Sequence, residues 1–303
     1  MRWFGPYCDL LWRRSPEALD AWLTTHLAAL DRLDPSPSVR AQVGRLRNHL
    51  RLHGPDYVPR PLALATQLPW PLAIDRFVAW DQQAHRREAP DTVAWARTLR
   101  DRALLWLLFV TALEPRSLLV LSATAPNIER NYRGCIVRLV LSARQMTPHR
   151  PVVVSLEDDF EGVRNLLTAW VDRGRPLLLG RIARPFLRLF PAPRGGPLSP
   201  HRFCAYFAAV LRPQIFGALS VYPGFLRHVG AALLHRGYGV PIPALAARLG
   251  ATEEIARLLD SASTPNAIHF SAEYGARPNG VAPEPALAAL RQWLGLLARE
   301  FTP

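Results

Sequence analysis

Residues 223–237, PGFLRHVGAALLHRG, decide how this chain is read. The stretch predicts a helix over 225–236 that Gly237 stops, since glycine tolerates the left-handed turn that ends many helices. Arg227 and His228 are neighbours in it, so their side chains point ~100° apart. Downstream, 243–249 reads as a short helix stopped by Gly250. Thr252 then caps another helix, with Glu253 and Glu254 in its first turn, where acidic groups suit the helix dipole.

Upstream, the chain alternates helices with one β-rich stretch. Residues 1–52 predict two helices: Ser15-Pro16-Glu17 opens the first and Ser36-Pro37-Ser38 the second. Residues 53–71 are proline-rich and weakly periodic, which marks a linker. A helix is expected over 71–85, then a long one from an Asp91 cap to about Ala112. Residues 136–141 and 152–156 are β-rich and joined by a basic tip with Arg144, His149 and Arg150, so they predict a hairpin. Helices follow over 158–173, from Ser199-Pro200 to 210, and over 285–301. The fold class expected is mainly α with a small antiparallel β-hairpin or sheet (α+β). The expected domains are a helical one with its linker over 1–66 and a larger one over 67–303.

Composition narrows the function. The chain has 303 residues and 49% hydrophobic content, enough for a real core. Its net charge is +13, and its pI of 10.9 points to a polyanionic partner, nucleic acid first. All 37 lysine-or-arginine positions are arginine. Guanidinium forks suit phosphate oxygens, and the absence of lysine excludes P-loop NTPases, protein kinases and lysine-dependent aldolases. Cys8, Cys135 and Cys204 are widely spaced, so neither a disulfide framework nor a zinc knuckle is indicated. No cofactor or metal is expected. The longest apolar run, 103–113, is about half a membrane span, and the first residues lack a signal-peptide core. A cytoplasmic protein off the membrane is expected.

The order of elements resembles the tyrosine recombinases, or phage-type integrases. Four segments carry the resemblance: LRDRALLWLLFVTALEPRSLLVL (99–121), the hairpin (136–156), LFPAPRGGPLSPHRFCAY (189–206) and PGFLRHVGAALLHRGYGVPIPALAARLG (223–250). The resemblance implies that 1–66 is a core-binding-like domain and 67–303 the catalytic fold. It also implies that double-stranded DNA is the partner and that a homo-oligomer or a partner recombinase assembles on it. In this family a tyrosine hydroxyl attacks a phosphodiester, while two arginines hold the non-bridging oxygens and a lysine and histidines handle protons.

Carried over position by position, the resemblance makes Arg227 the second arginine and His228 the supporting histidine beside it. Gly224 stands where the catalytic histidine belongs. A gapless match puts Glu114 at the first arginine, with Arg116 two positions on, ~200° around a helix unless Pro115 re-aims it. Ala251 replaces a further histidine, and the tyrosine position near 258–260 holds none, so Tyr274 is the candidate nucleophile. Arg144, His149, Arg150 and Arg202 are the expected DNA contacts. The residues leave three functions open: a divergent recombinase that cleaves and rejoins DNA, a non-cleaving DNA-binding subunit of a recombination module, and an arginine-rich protein that binds RNA or an acidic partner. The apolar face of the last helix (Leu287, Leu290, Trp293, Leu294, Leu297) serves either its own core or a neighbouring protomer.

Overall fold

The computed structural model describes residues 68–145, 151–156, 160–180, 186–192, 196–249, 253, 256 and 283–301. These all fall within one compact unit, Leu64–Pro303. The two helices expected over 1–52, the 66/67 boundary, the Thr252 cap and the linker up to residue 67 lie outside the described residues; the linker expected to run to 71 ends earlier, since Trp70 and Pro71 are already helical.

Helix α1 spans Trp70–Arg87 and α2 Val93–Thr111. A helix that is apolar nearly all round belongs in a core, and α2 buries every residue from Leu99 to Thr111. Each fully buried leucine there contributes roughly 1.5–3 kcal/mol. The cap of α2 is Thr92 rather than Asp91: the Thr92 hydroxyl accepts from Trp95 N–H at 3.0 Å. Asp91 has a positive φ and instead receives Arg173 at 3.0 Å. At its other end α2 stops on Ala112, which takes the left-handed conformation at φ 52°. A short helix, α3 (Pro115–Leu119), follows at once, with Glu114 extended at its cap.

Three strands form one antiparallel sheet in the order β1 (Ile128–Arg130), β2 (Ile136–Leu141), β3 (Val152–Ser155). Leu139 pairs with Val154 and Leu141 with Val152, which puts these apolar side chains on one buried face. The expected hairpin is therefore β2–β3, and β1 is an addition to it. The polar run Ile128-Glu129-Arg130 carries only one apolar residue, too little to signal a strand.

Three of the remaining described helices continue through wider, π-type turns. Helix α4 (Glu161–Ala169) passes through Trp170–Gly174 into α5 (Arg175–Leu179). Helix α6 (Pro200–Tyr206) likewise passes through Phe207–Leu211 into α7 (Arg212–Phe216). In both, a proline (Pro176, Pro213) is the second residue after the wider turn. Proline lacks the N–H of the regular ladder, and the wider turn lets the chain continue past it. Helices expected to end at 173 and 210 thus run on to Leu179 and Phe216. Helix α8 (Pro223–Ala232) continues through Leu233–Gly237, and α9 spans Ile242–Leu249.

The last helix, α10 (Pro283–Glu300), packs on α4 and α1 and buries Leu287, Leu290, Trp293, Leu294 and Leu297 within its own unit. Two close approaches pin the core. A Cβ on Gly162 of α4 would lie 2.3 Å from the Leu294 carbonyl oxygen, and one on Gly230 of α8 would lie 2.4 Å from that of Phe109. Only glycine fits at those separations.

Candidate nucleic-acid interface

The close seat of α8 on α2 determines where Arg227 goes. Gly230 brings the two helices together, and Arg227 sits about one turn earlier in α8, level with the end of α2. Its Nε donates to the Ala112 carbonyl at 3.0 Å. Ala112 ends α2 in the left-handed conformation, and after the extended Glu114 the chain restarts as α3 at Pro115. Glu114 and Arg116 are thereby turned toward Arg227.

One carboxylate holds both arginines. Arg227 Nη1 donates to Glu114 Oε1 at 3.2 Å, and Arg116 Nε pairs with Glu114 Oε2 at 2.5 Å. The Arg227 side chain is 15% exposed, against 27% for Arg116 and 33% for Glu114. The cluster is thus rooted in the core and open at Glu114. Burial pushes the Arg227 guanidinium below its ordinary value; Glu114 opposes the shift and the neighbouring Arg116 charge adds to it.

A third arginine caps the same helix end. Arg248 of α9 donates to the Val110 carbonyl at 2.8 Å and lies 5.6 Å over the Phe160 ring. Burial pulls its pKa down to about 10. Cations at the carbonyl end of α2 complement the helix dipole. Sequence reasoning misses Arg248. Its one signal is its place among Leu245, Ala246 and Leu249 on a mostly apolar helix.

The other sequence candidates are placed as follows. His228 is half-buried, with its ring 6.3 Å from that of Phe225. A Cβ at Gly224 would lie 3.0 Å from Cε2 of Tyr222. Arg144 is exposed in the turn that leaves β2. That turn is clamped: Gln145 Oε1 accepts from Ser142 N–H at 2.8 Å and from Asn127 Nδ2 at 3.0 Å. Arg202 is exposed in the first turn of α6, where Ser199 Oγ accepts its backbone N–H at 3.2 Å. His149, Arg150 and Tyr274 lie outside the described residues. The structure thus brings Arg116 and Arg227 together and places Arg144 and Arg202 on separate exposed elements.

Another cluster is internal. Arg100 pairs with Asp101 at 2.7 Å, and Tyr206 donates to Asp101 Oδ2 at 2.5 Å. Burial, then the Asp101 carboxylate, raises the Tyr206 pKa, so its phenol is held protonated. Among the described residues no group of histidines, cysteines and acids is placed to hold a metal. No described helix is long and apolar enough to cross a membrane.

No known family model matches the chain, and no curated protein matches it. Among solved structures it is similar to the XerH site-specific recombinase bound to difH substrate in a pre-cleavage complex. The identity is 14% and the TM-score 0.44, over 61% of this chain and 47% of that one. The XerH post-cleavage complex with palindromic difH gives 14% and 0.44, over 62% and 47%. The chain spans about half the length of each.

Proposed function

We propose that this chain is a DNA-binding protein of the tyrosine recombinase type, acting in site-specific recombination or in integration of a mobile element. The observation that carries the reading is the convergence of Arg116 and Arg227 on the two oxygens of one carboxylate. The pair is spaced to grip a two-oxygen anion, and the non-bridging oxygens of a phosphodiester present the same acceptor pair. The +13 charge, carried wholly by arginine, and the four sequence segments in order support the same reading. Exposed Arg144 and Arg202, with Arg150 and His149, extend the contact along the backbone, where affinity is largely electrostatic.

Of the two DNA-binding alternatives, the non-cleaving accessory subunit is favoured. Glu114 fills the arginine pair, Gly224 replaces the histidine, and no lysine is present. Members of such a constellation act as a unit, so several losses are not additive small changes. The alternative partners, RNA or an acidic protein, lack an observation of their own.

The test is duplex-DNA binding across a salt series. Binding is expected to weaken steeply with salt. Arg144→Gln with Arg202→Gln is expected to flatten the slope by about one unit for each phosphate no longer neutralised. Salt-insensitive binding, or an unchanged slope, overturns the reading. A nicked duplex that traps a covalent adduct on the wild type, but not on Tyr274→Phe, would restore the cleaving alternative.

A further inference from the structure

We infer that Glu114 is a resident stand-in for the DNA phosphate, so that a phosphodiester enters the Arg116–Arg227 pair only by displacing the Glu114 side chain. The inference rests on reading that pair as a phosphate site and adds what regulates it.

Glu114 occupies the pair as a ligand would, one oxygen per arginine, at 3.2 and 2.5 Å. A phosphate brought beside it would place two anions against the same two guanidinium groups, and like charges that close repel. The site therefore takes one anion at a time.

The three members also differ in freedom. Arg227 is held by its second bond, from Nε to the Ala112 carbonyl at 3.0 Å, and by a 15% exposed side chain. Glu114 is twice as exposed, at 33%. Its backbone is fixed by the extended conformation at the cap of α3 and by Pro115 after it. Rotation about its side-chain bonds is enough to carry the carboxylate out toward water. No helix has to move for the exchange, and the arginines stay charged and in place.

A structural counter-ion for a half-buried Arg227 makes a different prediction. In that case neutralising Glu114 only destabilises the protein. In the stand-in case it frees an anion site.

The experiment uses the full chain. Wild type and Glu114→Gln are titrated with a duplex oligonucleotide at several salt concentrations, and separately melted with and without inorganic phosphate. The amide keeps the shape and removes the charge. Glu114→Gln is expected to bind duplex about 10-fold more tightly, with a salt slope steeper by about one unit. Inorganic phosphate is expected to raise its melting temperature and leave that of the wild type unmoved. Equal DNA affinity and slope in a folded Glu114→Gln, with no phosphate effect, overturns the inference.

Should Glu114→Gln fail to fold, Glu114→Asp in the otherwise native chain decides. In Glu114→Asp the carboxylate is one methylene shorter and competes less well for the pair, so duplex affinity is expected to rise about 3-fold; unchanged or weaker binding in the folded variant overturns the inference. If neither wild type nor variant binds duplex at low salt, the DNA reading fails. The phosphate melt of Glu114→Gln still decides whether Glu114 masks an anion site.

Discussion

Trp293 donates its indole N–H to Oδ2 of Asp81 at 2.6 Å, tying the last helix to the first described one. Asp81 is fully buried and also accepts from Trp106 Nε1 at 2.9 Å and from Arg102 Nε at 2.7 Å. A buried carboxylate is tolerable only when its charge is paired and its oxygens are satisfied. Asp81→Asn leaves the Arg102 guanidinium buried beside a neutral amide. The expected cost is about 3–5 kcal/mol, or a melting temperature lower by roughly 10 °C. Trp293→Phe keeps most of the packing and loses one charge-assisted bond, for about 1.5–3 kcal/mol. Thermal melting followed by circular dichroism checks both. A fall of under about 2 °C in Asp81→Asn would remove this network from the account of stability.

The same network sets a pH dependence at His85. Arg102 Nη1 lies 3.1 Å from His85 Nδ1 and, having only protons to offer, must donate to it. His85 Nε2 lies 2.8 Å from Glu300 Oε1 and carries the ring proton. The histidine is thus held neutral. Burial first, then the Arg102 charge, keeps its pKa below the ordinary 6.5, with Glu300 and Asp81 opposing. The unfolded chain takes up a proton near 6.5 while the folded one does not, so stability is full above that value and declines as pH falls through it. The wild type is expected to lose more melting temperature between about pH 7.5 and 5.5 than His85→Gln. Equal losses in the two proteins would rule His85 out as the source.

Two glycines are predicted to respond oppositely to alanine. At Gly230 the new Cβ meets the Phe109 carbonyl oxygen at 2.4 Å, and backbone cannot move aside cheaply. Strain of about 1–3 kcal/mol is expected, more than the helix propensity that alanine gains. Because Gly230 sets the seat of α8, the Arg227 bond to Ala112 is expected to loosen as well, weakening duplex binding. At Gly295, in the exposed middle of α10, a Cβ meets nothing within 4 Å. Gly295→Ala is expected to stabilise by about 0.5–1 kcal/mol. Melting curves of the two variants should shift in opposite directions; a shift in the same direction contradicts the packing described.

These contacts also mark how far the residues can be read without a structure. The α2 core, the β2–β3 pairing, the Ser199 cap and the helix around Arg227 all follow from local patterns, and the structure has them. The Asp81–Trp293 bond joins positions 212 apart, and no local pattern encodes it. The turns before Pro176 and Pro213 read as helix ends because proline usually is one. Glu114 shows the limit most sharply. In a linear match it replaces an arginine, and Arg116 falls on the wrong face. The left-handed Ala112 and the restart at Pro115 bring Arg116 back, with the glutamate between the two arginines.

Gly224 allows the loss of the histidine to be separated from the rest. It is the second residue of α8, and a Cβ there meets only the side chain of Tyr222, at 3.0 and 3.2 Å. A side chain can rotate away where backbone cannot, so Gly224→His is expected to fold with its melting temperature within a few degrees of the wild type. It is not expected to cleave. The histidine would stand one turn from Arg227, but Glu114 still holds the arginine pair, and no lysine is available to protonate a leaving oxygen. Incubation of Gly224→His with a nicked duplex, followed by denaturing electrophoresis, should therefore trap no covalent protein–DNA species. An adduct in that single variant would mean that the histidine alone was missing. The carboxylate between Arg116 and Arg227 would then be no obstacle to phosphate attack.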